Sequence, residues 1–261
     1  MTDHRPPHRT THRPPARAWA MLTWTEAKLV ARDTAGLVIP LGLPMLIMVM
    51  YGLGSDGAGT ERFRGLPALD AFVVPMAMVM VVALIGLVNM PAVLATYRRT
   101  GVLRRLAVTP AHPLMVLAAQ VLASLAQVLA GVVGALLVAR LAFDVSMPRG
   151  AFPAVGVFCL VTAAMYALGM LVAAIAPSAN AAVAIGLVGF FLTMAVGGGF
   201  GPRDNLPDPV ATFGEYLPYG AGVEALSDAW TGVSPDLAHL GALAATAVLA
   251  GAVAAKVFRW D

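Results

Sequence analysis

Lysine is almost missing from this chain of 261 residues. Only Lys28 and Lys256 occur, against fifteen arginines, and both follow alanine. A phosphate-binding Walker A loop needs Gly-Lys followed by Ser or Thr, so that backbone amides and the lysine together hold the phosphates. That ATP site is therefore excluded here. Cysteine is rarer still: Cys159 stands alone in an apolar run, which rules out an intrachain disulfide and a cysteine metal cluster. Charge is scarce as well, at 12% of residues, about half the usual fraction of a soluble domain. Within the apolar runs ionisable side chains are absent, with Asp70, His112 and His239 only at their margins. Carriers driven by a proton or sodium gradient need such groups at membrane depth, so the absence disfavours ion coupling. No Gly-x-Ser turn falls in an apolar run, and no aspartate cluster or paired His ligands occur there. Those gaps argue against an intramembrane protease and a metal-dependent lipid enzyme.

What is abundant is hydrocarbon. Of the residues 59% are hydrophobic, gathered in six runs at about 37–53, 71–96, 114–139, 152–176, 179–200 and 237–257. Most reach the roughly 18 residues that cross a bilayer; the first is short and carries Pro40 and Pro44. The sequence thus predicts an all-α integral membrane protein with six transmembrane helices. An even number of spans puts both termini on one side. The termini and even-numbered connections hold twelve Lys and Arg and the opposite face five, so the positive-inside rule predicts cytoplasmic termini. The net charge of +3 is then a signal of topology and not a nucleic-acid footprint. Arginine in place of lysine, with much Ala, Gly and Val, points to a bacterial gene of high GC content and hence to a cytoplasmic (inner) membrane.

Residues 1–17 are basic and proline-rich with little to bury, which predicts a disordered cytoplasmic tail. Residues 18–36 read as an interfacial helix carrying Trp24, Lys28, Arg32 and Asp33. Tryptophan favours the headgroup zone, and Glu26 and Asp33 near the angle of Leu22 and Leu29 argue against full lipid burial of that face. A solvated juxtamembrane helix and a docking helix are both compatible with this pattern. Residues 37–257 form the six-span domain, with an inner loop at 97–113 and an outer loop at 201–236, and 258–261 return to the cytoplasm.

The inner loop Tyr97-Arg98-Arg99-Thr100-Gly101-Val102-Leu103-Arg104-Arg105-Leu106 has four arginines and no acid before Thr109-Pro110 ends it. Val102, Leu103 and Leu106 make an apolar patch at helical spacing, flanked by fixed charge. Such a ridge suits a groove on another protein, and it suits anionic lipid equally. The run from Tyr97 to Pro110, with His112-Pro113 and a long apolar span behind it, resembles the signature loop of type-2 ATP-binding-cassette (ABC) transporter permeases. It is most similar to the daunorubicin-resistance type of multidrug efflux permease. A second match lies in the outer loop, at Asn205-Leu206-Pro207, Tyr216-Leu217-Pro218-Tyr219, Glu224-Ala225-Leu226 and Trp230-Thr231-Gly232. Many relatives carry an acid after the first loop arginine, where this chain has Arg99.

The resemblance implies a permease subunit that pairs with a second copy or a paralogue and with two ABC ATPase subunits, which would hold the ATP and Mg. Arg98, Val102, Leu103, Arg104, Arg105 and Leu106 would then form the ATPase-coupling element, and Trp24, Lys28, Arg32 and Asp33 the elbow helix. It further implies export of small amphipathic, drug-like or lipid-like molecules. An ion-coupled carrier and a non-transporting scaffold are the alternatives.

Polar residues recur on the spans at steps of three and four. Gln120, Ser124 and Gln127 make one stripe, Thr162 and Tyr166 belong to another with Gly169, and Asn89 lies on the second span. Each either packs helices together or lines a path. Gly186, Gly189 and Gly197 form a comparable seam. In the outer loop Val223, Leu226 and Trp230 at helical spacing predict a short interfacial or re-entrant helix.

Overall fold

The computed structural model describes residues 16–55, 57–59, 61–101, 113–200 and 206–257. Among these the chain is helical, apart from an isolated bridge between Gly59 and Pro67. The helices are α1 (Ala16–Arg32), α2 (Thr34–Gly54), α3 (Leu69–Arg99), α4 (Pro113–Phe143), α5 (Ala151–Ile175), α6 (Ala179–Val196), α7 (Asp208–Tyr216), α8 (Pro218–Thr231) and α9 (Leu237–Val257). Six of them, α2 to α6 and α9, are long and apolar enough to cross a membrane. The six-span, all-helical expectation therefore stands, with boundaries displaced by a few residues. The tail to residue 15, the loop 102–112 and residues 258–261 lie outside the described residues.

α3 is the axis of the bundle. Its most apolar window is 89% buried, against 17% to 44% for the other five spans. Val, Met and Ala dominate it, and Met76, Met78 and Met80 are all interior, while Met50 on α2 is exposed. α2 and α4 pack on α3, with α1 laid along α4; α5, α6 and α8 also pack on α3, with α9 laid along α5. α4 and α5, although consecutive in the chain, make little contact among the described residues.

Two π-helical turns interrupt α3, at Leu69–Val73 and Ile85–Asn89. The second precedes Pro91, whose ring nitrogen cannot donate to the carbonyl of Leu87. The chain widens there, and Met90 N–H reaches back to Ile85 O. Gly169 on α5 and Gly186 on α6 meet α3 at this widened turn. A Cβ on Gly169 would collide with Gly86 O, and one on Gly186 with Leu87 O. Small residues here permit backbone-to-backbone approach. Gly189, by contrast, faces open space.

The expected short outer helices are α7 and α8, and of the two placements left open for them α8 departs from the interfacial one, because it is interior. Tyr219, Val223, Leu226 and Trp230 are all buried, packed against α3, α5 and α9. α8 ends at Gly232, in a left-handed conformation with φ 79°, where Val233 N–H bonds to Asp228 O at 2.8 Å. Only glycine takes that geometry without strain. Nearby, the connection from α4 to α5 is pinned. Ser146 N–H donates to Asp70 Oδ2 (2.7 Å), Trp230 Nε1 donates to Ser146 O (3.1 Å), and Gly150 N–H donates to Ala229 O (2.9 Å).

Candidate functional site

The site is the end of the bundle that carries the basic loop, where α1, α3 and α4 meet. α1 ends at Arg32, and Asp33 does not continue it. Asp33 instead caps α2, its Oδ1 accepting from Gly36 N–H at 3.0 Å. An acidic N-cap satisfies orphan amides and suits the positive end of the helix. On α1, Met21, Trp24 and Leu29 are exposed, and Lys28 Nζ lies 5.3 Å from the centre of the Trp24 ring. The aromatic side with its cation therefore faces outward, and Arg32 is exposed beside it. Glu26 does the opposite: it is buried and accepts a hydrogen bond from the Tyr97 hydroxyl at 2.5 Å. Burial raises the Glu26 pKa above the ordinary carboxylate value, and the Tyr97 bond offsets part of that rise.

Pro40 explains the next contact. Lacking an N–H, it leaves Gly36 O without its partner one turn on. An orphaned carbonyl at membrane depth is costly, and two amides fill the gap. Asn89 Nδ2 from α3 and Gln127 Nε2 from α4 (2.5 Å) both donate to Gly36 O. The polar residues expected to pack helices or line a path thus close a three-helix junction. Gln120 and Ser124 lie on the same face of α4, buried, and share a cavity of about 190 Å³ with Glu26, Asp33, Asn89 and Tyr97.

Arg98 turns toward α5. Its guanidinium donates to Ala173 O (2.7 Å) and Ala174 O (3.2 Å), capping the negative end of that helix. Val102, Leu103, Arg104, Arg105 and Leu106 lie outside the described residues. Both helices that flank their loop are nonetheless anchored. α3 is held by Tyr97 to α1 and by Arg98 to α5, and α4 packs along α1.

Thr162 and Tyr166 fall elsewhere, on the wall of an apolar groove of about 750 Å³ between α4 and α5. Thr162 donates to Phe158 O within its own helix at 2.8 Å. Met78 and Trp230 also line the groove, and Cys159 is exposed in it. At the far end of the molecule His239 and Glu215 approach to 3.0 Å. Among the described residues no group of three His, Cys, Asp or Glu could hold a metal.

Sequence reasoning missed the Glu26–Tyr97 bond and the link between Pro40, Gly36 and the two amides. The first joins residues 71 positions apart, with no periodic signal. The second was open to inspection, because a proline within a span always leaves a carbonyl looking for a donor.

Six spanning helices, one of them a buried axis, with a basic loop between α3 and α4, define a multi-pass membrane protein. Residues 17–229 match the family model described as ABC-2 type transporter. The chain belongs to that family, and it is a permease of an ABC transporter, a class that works with an ABC ATPase. No curated protein matches it.

Proposed function

We propose that this permease is the membrane half of an ATP-driven exporter of small amphipathic molecules, drug-like or lipid-like, in a bacterial cytoplasmic membrane. Both termini and the basic loop face the cytoplasm. The ATPase, which binds ATP and Mg, docks on Arg98, Val102, Leu103, Arg104, Arg105 and Leu106, and the permease acts with a second copy or a paralogue. α1 is the elbow helix, with Trp24 and Lys28 at the lipid headgroups, Arg32 at its end and Asp33 at its junction with α2.

The carrying observation is the anchoring of both helices beside the loop. Tyr97 and Arg98, next to it in sequence, bind α1 and the end of α5. A push on the loop is thereby shared among α1, α3, α4 and α5 and not absorbed by a slack hinge. The 750 Å³ apolar groove between α4 and α5 supports the cargo class, since pockets for drug-sized ligands span roughly 300 to 1,000 Å³. Thr162 and Tyr166 are its polar points.

The test is export by the reconstituted permease with its ATPase. Leu103→Asp and Leu106→Asp put a charge into the apolar docking patch, and each should abolish ATP-dependent export while insertion stays normal. Full export by a correctly inserted double variant would reject the coupling assignment.

A further inference from the structure

The cavity between α1, α3 and α4 is built to accept donors. Most of its own donors are engaged elsewhere. Tyr97 gives its proton to Glu26, Ser124 to Val121 O (2.9 Å) and Thr96 to Ala92 O (2.8 Å), while the nitrogens of Asn89 and Gln127 serve Gly36 O. Beside the spare amide N–H groups of Gln120, Asn89 and Gln127, what remains are acceptors, and these carry the charge. Gln120 lines the cavity at 2% exposure and its Oε1 has no partner. Glu26 retains a second carboxylate oxygen, and Asp33 adds a further acid. Among the described residues no lysine or arginine lines the cavity: the Lys28 ammonium lies over Trp24 on the outward side.

An unpaired buried acceptor beside a buried carboxylate is expensive unless a ligand supplies hydrogen. A primary ammonium is donor-only, with three N–H groups and one positive charge. At about 10 to 15 Å³ for each water-sized atom, 190 Å³ holds such a head with several heavy atoms to spare. The remaining lining includes Leu29, Val30, Met90 and Val93, and Leu29, on the same side of α1 as Glu26, is half exposed at the rim. An attached alkyl chain would leave past Leu29 into lipid.

We propose that this cavity binds the primary ammonium head of a membrane amphiphile, held by Glu26 and Gln120. The proposal rests on the cavity and not on the direction of transport, so its test is an equilibrium one with no ATPase present.

The full-length chain in phosphatidylcholine nanodiscs is titrated with dodecylammonium and with dodecyltrimethylammonium, which carries the same charge and no N–H. Dodecylammonium should bind at least about tenfold more tightly, because hydrogen bonds to charged groups are the strong ones. Glu26→Gln and Gln120→Leu should each remove most of that preference, with folding checked by circular dichroism and gel filtration. If Glu26→Gln does not fold, Gln120→Leu and the two probes still decide. A second arm adds phosphatidylethanolamine to the nanodiscs and counts retained lipid by native mass spectrometry. Selective, Gln120-dependent retention supports the site and names a lipid as its source. Dodecylammonium preference without lipid retention supports it with a non-lipid amphiphile. Equal binding of the two alkyl probes, or a preference unchanged in every folded variant, overturns it.

Discussion

Gly36 O offers a quantitative test of how a proline is tolerated in α2. Two amides, from Asn89 and Gln127, replace the bond that Pro40 cannot make. Interhelical hydrogen bonds in membranes average only about 0.6 kcal/mol by double-mutant cycle. Asn89→Leu or Gln127→Leu alone should therefore cost about that much, since the other amide still serves the carbonyl. Were the two effects independent, the double variant would lose about 1.2 kcal/mol on the same scale. Beyond those two bonds it orphans a carbonyl, and a buried unsatisfied group costs about a further 1–3 kcal/mol. The double variant should thus lose clearly more than the sum. Pro40→Ala restores an N–H one turn from Gly36, so in that background the excess should vanish. Unfolding in mixed micelles gives the energies, and hydrogen exchange over residues 34–42 locates them. An additive double variant, or an excess that persists in the Pro40→Ala background, would refute the reasoning.

Three further predictions are independent of this one. Gly169→Val and Gly186→Val should each lower the thermal midpoint sharply, by overpacking worth about 1–3 kcal/mol or more, whereas Gly189→Ala, facing open space, should be neutral. Arg98→Ala should speed amide exchange at residues 173–176 by uncapping α5, and Arg98→Lys should restore only part of the protection. The Glu26 pKa is raised by burial, so its contribution to stability is full below the unfolded carboxylate range and fades as pH climbs through the folded value. Melting curves of wild type and Glu26→Gln should accordingly diverge as pH rises from about 4 toward 7; parallel curves would remove Glu26 from the pH response.

The six spans were legible because a bilayer imposes one length and one polarity on every crossing segment. The same rule hides the order of packing. α3 is the longest and most apolar span, but that does not by itself separate an interior helix from outward-facing α2 or α9, because core and lipid are equally apolar. α8 shows the limit from the other side: its spacing announced a helix, and the acids Glu224 and Asp228, one turn apart on it, are what a surface helix would carry. Its interior placement follows from contacts with α3, α5 and α9, which no local pattern encodes. At the site, Gln120, Ser124 and Gln127 were recognisable as a face of α4, yet their destination depended on Pro40 in another helix. Asp33, named with the elbow for its neighbours in sequence, also caps α2, a role its spacing did not announce.

The pinned turn between α4 and α5 gives the bundle the mechanics of a pair of tongs. With Ser146 clamped by Asp70 and Trp230, these two arms share a fulcrum and are otherwise little joined to each other. At 1.5 Å per residue a 25-residue arm is about 37 Å long, so a tilt of about 5° at the pivot opens roughly 3 Å at the tips. The tips lie beside the arginine loop, where Arg98 ties the end of α5 to α3, so that a displacement of α3 is passed to that arm.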